Sequence, residues 1–283
     1  MRCNLLPVVC ASLAASALAA QETSFDVASI RPSQSTQSSE IRPTPFGRFT
    51  ATNATVRSLV LRAYGLVDAQ LIGAPAWLNT ERYDIEARAA AAPSDGPEAL
   101  LPMVRTLLAE RFKLAAHPDT RELPAYALTF ARRDRQLGPQ IRATQTDCTG
   151  ATTLTADEAR AAVRDGWPPC GMSYFVNFTT TGANGNNVKL RVRRSAITMP
   201  ALATALQPTV DRPVVDQTGL NGRFDVEYSY APQPSTPGVE SVFGPDAPAL
   251  FVALEEQLGL KLESRRMSVP VLVIDSIDRP SEN

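Results

Sequence analysis

Two stretches of the chain carry nearly the same sequence, RYDIEARA at residues 82–89 and RFDVEYSYA at residues 223–231. In both, apolar side chains alternate with charged or polar ones, which is the pattern of a β-strand with one buried face. Other landmarks recur in the same order around each stretch, namely Thr55 and Thr198, Lys113 and Lys261, and Pro124 and Pro270. The shared order predicts that the chain is a tandem duplication.

Each predicted repeat has the order strand–helix–strand–strand, then a linker, then helix–strand–strand. Thr55 and Thr198 are suited to cap a helix N-terminus, and apolar residues at helical spacing follow each of them. Such a helix buries its apolar stripe only against another element, so we expect two helices on one face of a small mixed sheet in each repeat. The predicted fold class is α+β.

The landmarks divide the chain into five predicted segments. Residues 1–20 are a leader, 21–46 an N-terminal strand and linker, 47–131 the first repeat, 132–188 an insert, and 189–283 the second repeat. The two repeats therefore make the body of the predicted protein, and the insert lies between them.

The leader has the three parts of a secretory signal peptide. Arg2 gives a positive start, an apolar run extends from Leu5 to Leu18, and small residues such as Ala19 precede the expected cleavage site. No later stretch approaches the roughly 18 consecutive apolar residues of a membrane-spanning helix. We expect an exported protein, periplasmic or extracellular, without a transmembrane segment in its mature chain.

Two cysteines, Cys148 and Cys170, lie outside the leader, and both fall in the insert. One cysteine pair in an exported chain most simply forms a disulfide, which would close the insert as a loop. A two-cysteine metal site is the alternative, but it lacks further ligands because His117 is the only histidine of the chain. We therefore predict a disulfide and no metal site.

The chain shows no sequence motif for catalysis or for cofactor binding. It contains neither a G-x-S-x-G elbow nor an H-E-x-x-H pair, and a Ser–His–Asp triad could use His117 alone. The 28 basic and 29 acidic residues give a net charge of −1, which argues against nucleic acid as a partner. We predict no cofactor.

The repeated sequence supplies six candidate binding residues, whose alternation places them on the outer face of a strand: Arg82, Asp84, Glu86, Arg223, Asp225 and Glu227. Two interpretations stay open for these residues. They form a solvated face with internal counter-charges, or their carboxylates act in pairs as in a glycosidase.

Two further features have a binding and a structural interpretation. Trp77 lies in a predicted loop or single turn, where it either stacks on a ligand or partner or closes one end of the core. Lys189, Arg191 and Arg193 share one face of a predicted strand. They contact an anionic surface or acidic partner, or they are simply solvated.

The predicted unit resembles the short N-terminal domain of secretins and TonB-dependent receptors, most clearly over LFVALEEQLGLKLESRRMSVPVLVID at residues 250–275. The whole chain also resembles a family of exported, soil-associated proteins from Acidobacteria that has no assigned function. Segments that carry this second resemblance include FDVASIRPS (25–33), GRFTATNATVRSLVLRAYGL (47–66) and RPVVDQTGLNGRFDVE (212–227). The resemblance implies an extracytoplasmic sensing or docking role and supplies no catalytic residues.

The sequence therefore predicts an extracytoplasmic binding or interaction module, sensory in function, whose partner is a protein of the cell envelope. Two alternatives stay open. One is a secreted hydrolase that attacks envelope or soil polymers through carboxylates, and the other is a passive structural protein of the envelope.

Reduction of the predicted Cys148–Cys170 bridge should lower the free energy of unfolding by about 3 kcal/mol, because the bridge restricts the unfolded chain. Urea unfolding of the exported protein with and without dithiothreitol measures the difference. As a control, the unreduced protein is unfolded and exposed to iodoacetamide. A bridged protein takes up no label, so labelling of both cysteines would show that the bridge is absent.

Overall fold

A computed structural model describes residues 24–44, 46–91, 97–145, 166–171, 173–182, 185–231 and 248–280. Its strands are β1 (Val27–Pro32), β2 (Glu40–Pro43), β3 (Arg48–Thr55), β4 (Leu71–Ile72), β5 (Arg82–Arg88), β6 (Ala115–Phe130), β7 (Ile141–Ala143), β8 (Ser173–Gly182), β9 (Gly185–Ile197), β10 (Val214–Asp216), β11 (Phe224–Tyr230) and β12 (Leu260–Ser276). Its helices are α1 (Val56–Tyr64), α2 (Trp77–Thr80), α3 (Leu101–Arg111), α4 (Met199–Val210) and α5 (Leu250–Ala253), which continues as a π-helical turn over Leu254–Leu258.

The described strands form three four-stranded sheets. Sheet A has the order β1-β5-β3-β2, sheet B has β10-β6-β12-β4, and sheet C has β7-β11-β9-β8. Parallel pairs occur in sheet B, where β10 lies beside β6 and β4 lies beside β12. The predicted α+β class is confirmed. The described strand pairs of sheets A and C are all antiparallel, and the mixed sheet is sheet B, to which both halves contribute strands. No helix in the part of the chain that the structure describes has the length and apolar character needed to span a bilayer.

The helix caps follow the sequence prediction. The Thr55 side chain accepts a hydrogen bond from Ser58 N at the start of α1, and Thr198 accepts one from Ala201 N at the start of α4. Each helix buries the apolar stripe that its sequence predicts: Val56, Leu59, Val60 and Ala63 in α1, and Met199, Leu202, Ala203 and Leu206 in α4. Gly65 ends α1 in the left-handed conformation that favours glycine.

The strand pairs predicted around Pro124 and Pro270 are wrong, because each pair is one long strand. β6 runs unbroken for 16 residues through Pro124, and β12 for 17 residues through Pro270. The two strands pair antiparallel along nearly their whole length, from Leu260 opposite Phe130 to Ser276 opposite Ala115. It is the longest strand pairing among the described residues.

The backbone register explains why proline does not break these strands. Tyr126 N donates to Pro213 O (2.8 Å), so the backbone polar groups of Tyr126, and of Pro124 two residues earlier, face away from β12. Pro270 O accepts from the Gln70 side chain (2.9 Å), so Pro270 also faces an outer edge. Neither proline therefore removes a hydrogen bond between β6 and β12.

Each long strand passes from one hydrophobic core to the other. The first core contains α1, α3 and sheet A, and it is completed by Leu272 and Ile274 near the end of β12. The second core contains α4, α5 and sheet C, and it is completed by Leu128 near the end of β6. Each half of the protein thus depends on a strand that begins in the other half.

Sheets A and C have the same arrangement of strands around the repeated sequence. The first copy forms β5 of sheet A, and the second copy forms β11 of sheet C. β1 places Arg31 opposite Asp84 of β5, and β7 places Arg142 opposite Asp225 of β11. β1 lies in the predicted N-terminal strand and linker segment and β7 in the predicted insert, so the strand pairing extends beyond residues 47–131 and 189–283. The proposed domain boundaries themselves stay predictions.

Gly259→Ala should destabilise the protein more than Gly219→Ala, although both glycines have nearly the same φ, +68° and +67°. A Cβ at Gly259 would lie 2.6 Å from Gly138 N, whereas at Gly219 the nearest atom is a side-chain nitrogen of Arg135 at 3.7 Å. We expect a loss of about 1 kcal/mol at Gly219 from the left-handed backbone alone, and about 3 kcal/mol at Gly259 from that strain plus the clash. Urea unfolding measures both, and equal losses would contradict the close packing.

Candidate functional site

The first copy of the repeated sequence holds the backbone of one residue, Asn53, from both sides. Arg82 Nη1 donates to Asn53 O (2.8 Å), and Asp84 Oδ1 accepts from Asn53 N (2.7 Å). Asn53 has a left-handed φ of +50° and lies at a register shift in β3, just before the Thr55 cap. The arginine and the aspartate therefore fix a strained turn that leads into α1.

The second copy does the same for Ala196. Arg223 Nη1 donates to Ala196 O (3.0 Å), and Asp225 Oδ1 accepts from Ala196 N (3.0 Å). Ala196 has φ +54° and precedes the Thr198 cap by two residues. A left-handed alanine costs about 1–2 kcal/mol, so the strain needs support from its surroundings. We call this arrangement the backbone clamp, formed by Arg82 and Asp84 in one half and by Arg223 and Asp225 in the other.

The glutamates of the repeated sequence form ion pairs with the neighbouring strand. Glu86 lies 3.2 Å from Arg48 on the exposed outer face of sheet A. Glu227 lies 2.7 Å from Arg193 and 3.4 Å from Arg191 on the half-buried outer face of sheet C. Arg191 and Arg193 of β9 are therefore both paired with the one carboxylate of Glu227.

The expectation that Asp225 points into solvent is wrong. Its exposure is 5%, and besides Ala196 N it accepts from Thr144 Oγ1 (2.7 Å) and pairs with Arg142 (3.5 Å). Asp84, its counterpart, is half-buried. The difference arises because Thr144 and Arg142 contact Asp225 on the outer face of sheet C, and Trp167 packs on Arg142.

The structure does not bring the candidate carboxylates together, since Asp84 and Glu86 lie in sheet A and Asp225 and Glu227 in sheet C. Across the described ranges, no three His, Cys, Asp or Glu side chains gather as a metal site would require. His117 is exposed in β6 rather than in a turn, with Nδ1 3.0 Å from the carboxylate of Asp275.

Trp77 begins the short helix α2 and packs half-buried against the first core. The guanidinium carbon of Arg279 lies 5.1 Å from the centre of its ring, which is a cation–π contact. Arg279 Nε also donates to Glu81 (2.8 Å), and this hydrogen bond lowers the pKa of the Glu81 carboxyl. The Arg279 side chain of the same protein therefore covers one face of the Trp77 ring.

Residues 166–171 of the predicted insert lie along the outer face of sheet C. The guanidinium carbon of Arg142 is 4.8 Å from the ring centre of Trp167, and Arg193 Nη1 donates to Gly166 O (3.0 Å). Gly171 N donates to Ser195 O (3.0 Å) at the end of this segment. Cys170 lies in the same segment. Cys148 falls outside the described residues, so the disulfide stays a prediction.

The corresponding face of sheet A is not covered by any segment among the described residues. We define the open face by the outward side chains of β1, β5 and β3: Val27, Ser29, Arg31, Asp84, Glu86, Arg88, Arg48 and Thr50. Most of its charged residues are exposed. Val27 is 63% exposed at one end of the face, and Phe46, in the turn before β3 at the same end of the sheet, is 57% exposed. We take the open face as the candidate functional site.

Sequence reasoning missed Arg31 and Arg142, although a signal for both exists. The segments SIRPS (29–33) and QIRAT (140–144) form matching edge strands in sheets A and C. Ser33 N donates to Arg82 O (2.8 Å), and Thr144 N donates to Arg223 O (2.9 Å). The match was overlooked because it is short and its two copies are spaced differently from the other landmarks.

A cavity of about 300 Å³ lies where α1 and α4 approach β10 and β12. Two buried glutamines border it, and their amides are occupied. Gln207 donates to Gly65 O (3.0 Å) and accepts from Val214 N (3.3 Å), while Gln70 donates to Pro270 O (2.9 Å). The bonds from Gln207 to Gly65 and from Gln70 to Pro270 tie the two halves together.

The chain belongs to a family of proteins of unknown function, DUF3738, whose family model matches residues 57–277. This range includes both backbone clamps and both long strands. No curated protein and no solved structure matches the chain. Membership of an uncharacterised family is therefore confirmed, while the acidobacterial origin and the likeness to secretin and TonB-receptor domains stay predictions.

Asp225→Ala should lower the free energy of unfolding by about 3 kcal/mol, because it leaves the buried Ala196 N–H and the Thr144 hydroxyl without an acceptor. The matched change Asp84→Ala should cost about 1–2 kcal/mol, since water reaches this half-buried clamp. Urea unfolding of the two variants measures the difference. A larger loss for Asp84→Ala would contradict the assignment of Asp225 as the buried clamp.

Proposed function

We propose that this DUF3738 protein is an extracytoplasmic interaction module that docks a protein of the cell envelope on the open face of sheet A. The resemblance to the exported family implies that this docking role is sensory. In this function the sheets and helices are a rigid support, and the open face is the contact surface.

The contrast between the two outer sheet faces carries this proposal. The chain covers the face of sheet C with Gly166 and Trp167, and it leaves the face of sheet A, built on the same strand plan, uncovered in the described residues. Exposed Val27 and Phe46 at one end of sheet A add apolar surface of the kind that protein interfaces bury.

Two features of the sequence support the cellular setting. Residues 1–20 have the composition of a signal peptide, which favours export to the periplasm or beyond. The likeness of residues 250–275 to the short N-terminal domain of secretins and TonB-dependent receptors favours an envelope partner.

We also propose that the chain arose by tandem duplication. The reuse of the backbone clamp supports it, because Asn53 and Ala196 have the same left-handed backbone and the same Arg and Asp contacts. The pairing of the long strands supports it too. Pro124 of β6 lies opposite Arg266 of β12, and its counterpart Pro270 of β12 lies opposite Thr120 of β6. The two strands therefore pair symmetrically, as two copies of one ancestral strand would.

A polymer hydrolase is less well supported by the same contacts. Asp84 and Asp225 are engaged with backbone amides, and Glu86 and Glu227 with arginines, so each carboxylate has a structural task. The two pairs also lie in different sheets, whereas a glycosidase needs two carboxylates facing one bond.

Site-directed photocrosslinking tests the docking function. With benzoylphenylalanine at Thr50, in the middle of the open face, we expect one discrete cross-linked product in intact cells, identified by mass spectrometry with its cross-linked peptide. The added Arg31→Glu and Arg88→Glu changes should remove that product, because they reverse the charge of the surface that the partner contacts.

The matched control carries the same photoreactive group at Glu110, an exposed position of α3 outside the open face. No specific product is expected there. Identical products at Thr50 and Glu110, or none at Thr50, would contradict docking on the open face.

A further inference from the structure

The protein itself contains an example of a segment seated on an arginine-bearing sheet face. On sheet C, the ring of Trp167 lies over Arg142 (4.8 Å), and the carbonyl of Gly166 accepts from Arg193 Nη1 (3.0 Å). An aromatic ring and a polar oxygen, both from a short irregular segment, thus satisfy two arginines of the face. Pro168, which follows, is buried in this arrangement.

Arg31 holds the position in sheet A that Arg142 holds in sheet C. Each lies on the edge strand directly opposite the aspartate of the backbone clamp, Arg31 opposite Asp84 and Arg142 opposite Asp225. Arg31 is exposed, however, and no aromatic ring of the described residues lies over it. The same recognition chemistry is therefore presented to the outside.

The charges of this surface favour an acidic occupant. Arg48 is paired with Glu86, and Arg42 of β2 is paired with Glu40 (2.6 Å). Asp84 is engaged by Asn53 N. Arg31 and Arg88 are exposed, and neither makes an ion pair within the described part of the chain. The open face thus carries Arg31, Arg48 and Arg88 against the carboxylates of Asp84 and Glu86, so its net charge is positive.

We propose that the open face binds an extended, acidic segment of a partner protein, with an aromatic side chain on Arg31 and a carboxylate on Arg88. This inference rests on the docking function proposed above and specifies the chemistry of the partner. Arg31 lies opposite Asp84 of β5, and Asp84 is four residues before Arg88 on the same strand. Four residues of β-strand span about 13 Å. An extended segment therefore reaches both arginines when its aromatic residue and its carboxylate are about four residues apart.

A synthetic peptide tests this chemistry directly. The probe is Glu-Ser-Gly-Ser-Trp-Ser-Gly-Ser-Glu with a fluorescein label, which offers a carboxylate at the required spacing in either chain direction. Fluorescence anisotropy measures its binding to protein purified after expression of the full chain. We expect saturable binding that weakens at least about tenfold in Arg31→Glu and in Arg88→Glu, since each loses a charge-assisted contact.

The matched control is Arg133→Glu, which makes the same charge change at an exposed arginine outside the open face and should leave binding unchanged. A probe with alanine in place of tryptophan should bind the normal protein more weakly. It should also lose little further affinity in Arg31→Glu, because the ring and Arg31 act as one pair.

Three results would overturn the inference. The first is that the probe shows no saturable binding. The second is that Arg133→Glu weakens probe binding as much as Arg31→Glu does. The third is that the protein binds vesicles containing phosphatidylglycerol and does not bind the peptide. If the Thr50 cross-link captures a partner while the peptide does not bind, the acidic-aromatic chemistry is wrong and the docking function stands. If the Thr50 cross-link fails as well, the open face is not a docking surface.

Discussion

The antiparallel pairing of β6 and β12 is the contact on which the rest of the structure depends. Each strand begins beside the core of its own half and ends in the core of the other half. Leu272 of β12 therefore completes the core around α1 and α3, and Leu128 of β6 completes the core around α4 and α5. β4 and β10 are too short to form sheets alone, and they exist as partners of these strands. Loss of this pairing would open both cores at once.

The backbone clamp is the second recurring element. A left-handed residue before the capping threonine turns the chain from strand to helix, and the Arg and Asp of the following strand hold that residue by its carbonyl and its amide. Residues that resemble a catalytic or binding pattern in sequence thus have a structural task. Arg31 and Arg88, by contrast, are exposed and make no ion pair within the described part of the chain, which is why the proposed docking surface is built on them.

Much of the local structure could be predicted because it depends on neighbours along the chain. The apolar stripes of α1 and α4, the caps at Thr55 and Thr198, and the strand character of the repeated sequence follow from periodicity and capping chemistry. The continuity of β6 could not be predicted in this way. Whether Pro124 interrupts a strand depends on which edge its nitrogen faces, and that edge is set by β12 and β10.

The sequence by itself determined the α+β class, the helix faces and the two matching strands that carry Arg82, Asp84, Arg223 and Asp225. Only the tertiary structure decided that Asp225 is buried while Asp84 is half-exposed, and that the described residues cover the outer face of sheet C but not that of sheet A. The reason is physical. Alternation along a strand tells which side chains share a face. Solvent access to that face depends on segments distant in sequence, and among the described residues Gly166 and Trp167 pack over sheet C while no such segment packs over sheet A.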